Sequence, residues 1–187
     1  MKTKDYLIIV GSGPCVFDDL ERIEDHSRFD FMAINHSSPA FIHIERIDHL
    51  VCHENKFPTA KRMRKRAGLN TDYITYSNED HPGVDKIFAD LTPPTCAYDC
   101  PSRLQGSDPR NLHHYSGTSV MLGLKIALRL GYKKIIIAGA PLNEGTYAAY
   151  QKGWLWIADI LRQCPVRAMS GFTKDIFGEY TEDWLHE

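Results

Sequence analysis

Two short glycine loops and a scatter of histidines carry most of the chemistry that this sequence offers. The apolar run Tyr6 to Val10 ends in Gly11-Ser12-Gly13-Pro14. A buried strand that runs into glycine brings backbone close to a ligand, and phosphate is the ligand such loops most often hold. A second apolar run, Lys133 to Ala138, ends in Gly139-Ala140-Pro141-Leu142. Between them, Ser116-Gly117-Thr118-Ser119 has the residue types of a helix N-cap, whose free N–H groups favour an anion. Asn35 and His36 end a third run, and His53-Glu54 a fourth. The Asn35 amide can bond a ribose hydroxyl or a base edge. Histidine titrates near neutrality, so His113 and His114, just ahead of the cap, are the favoured general bases for deprotonating an acceptor hydroxyl. Glu54 is a further candidate base or metal ligand.

The elements that must position these groups follow from periodicity. Residues 4–10, Phe29–Ile34, His49–Cys52, Tyr73–Tyr76, Lys133–Ala138 and Val166–Met169 read as strands, with a short one at Lys86–Ala89. Runs apolar on both faces belong to parallel strands covered by helices. Helices are expected over Val16–His26, with Phe17, Leu20 and Ile23 inward, and over Phe57–Ala67, closed by Gly68. A helix from the Ser116–Ser119 cap to about Leu130 is apolar all round except Lys125 and Arg129, so it should be buried. An amphipathic helix spans Ala148–Gln163, its Trp154 and Trp156 packing core or a subunit contact, and a polar tail follows Ser170-Gly171-Phe172. Alternating strands and helices imply an α/β fold: one doubly wound, mostly parallel sheet with helices on both faces, Rossmann-like, over 1–187. Periodicity fails over about 77–115, a loop-rich insertion that is either a lid or acceptor-binding segment or a surface excursion.

Composition narrows the class. A length of 187 residues suits one domain, and a net charge of −2 gives no global attraction to nucleic acid. Lys56, Lys61, Arg62, Arg64, Lys65 and Arg66 cluster on one helix, but without interleaved aromatics they read as a solvated face. No apolar run reaches the roughly 18 residues of a membrane span. The five cysteines are an odd number, and Cys52 and Cys164 fall in apolar segments, so free thiols and a cytoplasmic setting are expected. Cys96 and Cys100, with His113 and His114, make a loose zinc set that ranks below free thiols. A nicotinamide fingerprint fails twice, at Val16 and at Asn35, and no Walker A loop is present.

The motif residues resemble two families. Gly11-Ser-Gly-Pro14 looks like the G-x-G-P-S loop of bacterial lipooligosaccharide sialyltransferases. Ser116-Gly117-Thr118-Ser119-Val120, Ala127-Leu-Arg-Leu-Gly-Tyr-Lys-Lys-Ile135 and Gly139 are similar to their S-G helix, A-x-x-L-G-Y-K-x-I run and strand-end glycine. The same layout resembles the hydroxymethylpterin diphosphokinase MptE-like family, short phage proteins among its relatives. The likeness covers roughly residues 5–35 and 113–142. It implies a Rossmann-like domain with Gly11, Ser12, Gly13, Pro14, Asn35, His36, Ser116, Gly117, Thr118, Ser119 and Gly139 around a nucleotide. The first resemblance implies metal-free glycosyl transfer from a CMP-type nucleotide sugar to a glycan hydroxyl, the second ATP-dependent diphosphate transfer with Mg²⁺. The chain departs from both patterns at Cys15, where serine is usual, and at Pro141, where an acid is usual. The sialyltransferase base is a histidine after the last-strand glycine, and His186 alone follows here. A nucleotide-binding or structural protein without catalysis is therefore a third reading. Homo-oligomerisation stays open in all three.

Overall fold

The computed structural model describes residues 3–36, 39–53, 55–89, 118–143 and 145–187. Its seven strands form one sheet, with β1 Tyr6–Val10, β2 Phe29–Ile34, β3 His49–Val51, β4 Ile74–Ser77, β5 Lys86–Ile87, β6 Lys134–Ala138 and β7 Val166–Ala168. The spatial order is β5-β4-β3-β2-β1-β6-β7, and every pairing is parallel. The expected α/β, doubly wound class is the one observed. From β1 the chain winds outward to β5, then crosses back to lay β6 on the free side of β1. Val10 of β1 stands level with Ala33 of β2 and Ala138 of β6. The winding thus reverses between β1 and β6, where α/β sheets leave a crevice beyond their strand ends.

Alternation along the strands makes two cores. Leu7, Ile9, Ile135 and Ile137 face the layer of α3 (Ser119–Arg129), and Ile8, Val10, Ile136 and Ala138 face that of α1 (Val16–Glu21) and α2 (Phe57–Arg66). α3 is buried from Val120 to Leu128, as its all-round apolarity requires. Lys125 was expected in a polar stripe but is buried with its neighbours, and desolvation pushes its amine down to about 8. Arg129 lies over the Phe88 ring.

The structure corrects several local expectations. α1 stops at Glu21 rather than His26, because Asp25 accepts the Ser27 N–H and starts a 3₁₀ turn over His26–Arg28. Its Phe17 points outward against His43, and Val16 and Asp19 take inward places. Arg64 is not solvated: its guanidinium is fully buried and donates to the carbonyls of Phe41, Ile44, Glu45 and Asn70 and to Asn70 Oδ1. The expected helix over 148–163 is a 3₁₀ turn at Gly145–Tyr150 followed by α4 (Gln151–Trp156) and α5 (Ala158–Leu161), broken at Ile157. Trp154 fills core edge-on to Phe177. The polar tail folds into α6 (Gly171–Phe177) and α7 (Glu182–His186), with Trp184 buried under Lys134 and Arg167. Among the described residues, no helix is long and apolar enough to cross a membrane.

Candidate functional site

The loops after β1 and β6 interlock. The Gly11 N–H donates to Ala138 O at 2.8 Å and the Gly13 N–H to Gly139 O at 2.7 Å. Those two amides, expected to face a phosphate, therefore hold the second loop. A Cβ on Gly11 would meet Gly139 O at 2.3 Å, and one on Gly13 would meet Pro141 Cδ at 2.6 Å. Glycine is needed here for loop-on-loop packing. Gly139 has φ +66°, and a Cβ there would lie 2.6 Å from Val16 Cβ. That combination of left-handed backbone and crowding admits only glycine without strain.

A buried carboxylate ties in a third strand end. Asp19 is 3% exposed. Its Oδ2 accepts the Gly139 N–H at 2.8 Å and the Ser170 hydroxyl at 2.8 Å, with Cys15 Sγ at 3.5 Å. Cys15 Sγ also lies 3.1 Å from Ser170 Oγ. One oxygen thus joins the segments after β1, β6 and β7. Burial pushes the Cys15 thiol up, and Asp19 adds to the effect, so the sulfur stays protonated rather than nucleophilic.

Above this junction opens a cavity of about 410 Å³. Ser12, Gly13, Pro14 and Cys15 form one wall; Ile34, Asn35, Thr118, Ser119 and Val120 form another; Gly139 to Asn143, Tyr147, Tyr150, Ser170 and Gly171 close the rest. Thr118 caps α3, its Oγ1 accepting the Met121 N–H at 3.2 Å, which leaves first-turn amides at the wall. Asn35 has φ +60°, and its Nδ2 donates to Ser119 Oγ at 3.4 Å. The arrangement offers hydroxyls, an amide and a helix N-terminus beside Ile34, Val120, Leu142 and two tyrosines. It suits a ligand with an anionic group at one end and a ring at the other.

Of the residues singled out in the sequence, Ser12, Gly13, Pro14, Asn35, Thr118, Ser119 and Gly139 line this cavity. Gly11 lies in the interlocked loop beneath. His36 is half-buried and is not among the lining residues. His53 turns to Asn78, its Nδ1 donating to Oδ1 at 2.8 Å. Glu54, Cys96, Cys100, His113, His114, Ser116 and Gly117 lie outside the described residues. Several lining residues lie outside the sequence reading, Ser170, Tyr147 and Tyr150 foremost among them. Ser170 ends β7 as the glycine loops end β1 and β6, so the strand-end rule would have found it. Tyr147 and Tyr150, whose rings stand 6.3 Å apart, sit in a 3₁₀ turn that was read partly as loop and partly as helix.

Among the described residues, no set of three metal-ligating side chains converges. The described lining of the cavity holds neither a carboxylate nor an imidazole.

No protein-family model matches this chain. No curated protein matches it either. Among solved structures, it is similar to the sialyltransferase CstII from Campylobacter jejuni, determined in complex with a substrate analogue, cytidine-5′-monophosphate. The match has a TM-score of 0.56 at 12% identity and covers 94% of this chain and 85% of that one. Nothing found supports the pterin diphosphokinase resemblance. At that identity the likeness is one of fold, and the fold is sialyltransferase-like.

Proposed function

We propose that residues 1–187 form one nucleotide-dependent transferase domain that moves a sugar from a CMP-type nucleotide sugar to a hydroxyl. The observation that carries this reading is the cavity at the point where the sheet's winding reverses, with the N-terminus of α3 on its wall. The α3 amides favour the donor's phosphate, and Ile34, Leu142, Tyr147 and Tyr150 supply apolar surface for its ring. In the transfer, the acceptor oxygen bonds to the anomeric carbon as the bond from that carbon to the phosphate oxygen breaks. CMP leaves with the electron pair. The acceptor proton passes to a base, for which His113 and His114, just ahead of Thr118 in the chain, are the candidates. The developing charge on the leaving phosphate meets the helix N-terminus, and no metal ion enters the scheme. A glycan supplies the acceptor hydroxyl.

The second reading is a protein that binds the nucleotide and does not turn it over. It draws on the absence of a carboxylate or imidazole from the described lining, and on Pro141 standing where the resembling families carry an acid. Thermal-shift measurements with CMP, CDP, UDP, ATP and pterins, with and without Mg²⁺, identify the nucleotide by mass action. Stabilisation by CMP without metal is the expected result; a response to ATP with Mg²⁺ alone would point to diphosphate transfer. Release of CMP from CMP-sialic acid, lost in His113→Ala or His114→Ala, is expected of the transferase. CMP binding without release supports the second reading.

A further inference from the structure

The described surface of α2 is a row of cations. Lys61, Arg62, Lys65 and Arg66 are all exposed, and none of them enters an ion pair among the described residues. The helix carries no acidic residue, and the whole chain carries a net charge of −2. Lys61 with Lys65, and Arg62 with Arg66, place like charges one turn apart, which destabilises a helix. Lys65 and Arg66 complement the negative end of the helix dipole, but Lys61 and Arg62 lie too far back to do so. The row therefore carries a repulsion that the helix itself does not offset.

Exposed apolar side chains flank it on both sides. The 3₁₀ turn Pro39–Ile42 is riveted to α2 through Arg64, and it leaves Ile42 40% exposed. On the opposite side, edge strand β5 leaves Ile87 46% exposed. Ile87 pairs with Ser77, so it shares the sheet face on which α2 packs. Phe17, 41% exposed and edge-on to His43, extends the apolar margin beyond Ile42. Three of the five large hydrophobic side chains that the described surface exposes thus lie on this one face.

We propose that this face, with the α2 cations at its centre and Ile42 and Ile87 on either side, docks on the anionic surface of a lipid bilayer. Cations that stay solvated at the headgroups, beside aliphatic side chains that enter the interface, are the two components of peripheral membrane binding. A nucleic acid would use the charge but leave the isoleucines without a role, and α2 offers no exposed aromatic ring on which a base could stack. The inference is independent of what occupies the cavity.

Co-sedimentation of the full chain with vesicles tests it. Binding is expected to vesicles of phosphatidylcholine with about 30% phosphatidylserine, and not to phosphatidylcholine alone. Each cation near such a surface contributes about a fivefold gain, so Lys61→Gln/Arg62→Gln/Lys65→Gln/Arg66→Gln should weaken binding on the order of several hundredfold. Raising salt to about 0.5 M should mimic that loss in the wild type. Ile42→Ser/Ile87→Ser should weaken binding while leaving its salt dependence intact. Circular dichroism melts check that each variant folds, and the salt arm needs no variant. Failure of the wild type to bind the anionic vesicles would overturn the proposal. So would full binding by the glutamine variant, or tighter binding to duplex DNA with no loss in the isoleucine variant.

Discussion

Replacing Asp19 by alanine removes the one oxygen on which the segments after β1, β6 and β7 converge. The Gly139 N–H, buried and 2.8 Å from that oxygen, is left without an acceptor. An orphaned buried amide costs about 1–3 kcal/mol. The Ser170 hydroxyl also loses its acceptor, but it faces the cavity and can turn to water, so its share is about 1 kcal/mol. The sum is about 3 kcal/mol, which for a chain of this length lowers the melting temperature by about 6–12 °C. Asp19→Asn keeps an oxygen in place and should cost about 1 kcal/mol. Thermal melts and urea unfolding at neutral pH measure both, and an unchanged m-value shows that the loss is in the folded state. An alanine variant melting within about 2 °C of wild type would refute the role assigned to the carboxylate. Equal losses in the alanine and asparagine variants would refute the reasoning from its oxygen.

Three further outcomes follow from the geometry. His49 is fully buried, donating through Nε2 to Tyr132, whose hydroxyl donates to Asp30; burial pulls the imidazole down to about 4 from 6.5. The unfolded chain therefore takes up a proton that the folded one refuses, so stability is complete above 6.5 and falls by about 3 kcal/mol as pH drops from there toward 4. Urea midpoints across that window should slope in wild type and flatten in His49→Phe. Arg64→Met removes the guanidinium donor from four backbone carbonyls, while Asn70 Oδ1 keeps the Ile47 N–H, and should cost about 3–5 kcal/mol, with Arg64→Lys recovering only part, as denaturant titration will show. Gly139→Ala adds a left-handed alanine and a clash with Val16 and should cost about 2–4 kcal/mol, whereas Gly68→Ala, with φ +71° and open space, should cost about 1 kcal/mol by the same assay.

The sequence carried the framework of this fold through its strongest periodicities. β1, β2, β6 and α3 are largely apolar because each is covered on both faces, so their reading did not depend on partners far along the chain. Lys125 defeats that reading for the opposite reason: a single lysine looks polar wherever it stands, and only packing shows that it is enclosed. Arg64 reads as one more cation on a basic helix until the turn at residues 39–45 folds back over it. The site was legible at the strand ends, where small and polar residues gather after apolar runs. Its closure was not. Asp19 bonds to groups 120 and 151 residues away, and neither spacing nor composition encodes such a contact. From its neighbours alone, Asp19 looks like an acidic residue suited to the first turn of α1.

The glycine loops illustrate a further limit. Their spacing invites a phosphate-cradle reading, since the residue types needed to approach a ligand are those needed to approach another loop. Here the Gly11 and Gly13 amides hold the β6 loop, and the anion-favouring amides near the cavity are those of α3. A phosphate-cradle reading would have a bulky side chain at Gly13 block ligand and spare the fold. That side chain would instead meet Pro141 and Gly139, so Gly13 cannot separate binding from folding.

Ser119 can. It opens α3 at the cavity wall and is only half-buried, so Ser119→Trp should fill much of the cavity without disturbing the core. Calorimetric titration of CMP into the wild type and into Ser119→Trp is the most direct test of the nucleotide site. Saturable, metal-independent binding to the wild type is expected, with none to the variant at an unchanged melting temperature. Equal binding by both proteins, or none by the wild type, would contradict the placement of a nucleotide between the β1 and β6 loops.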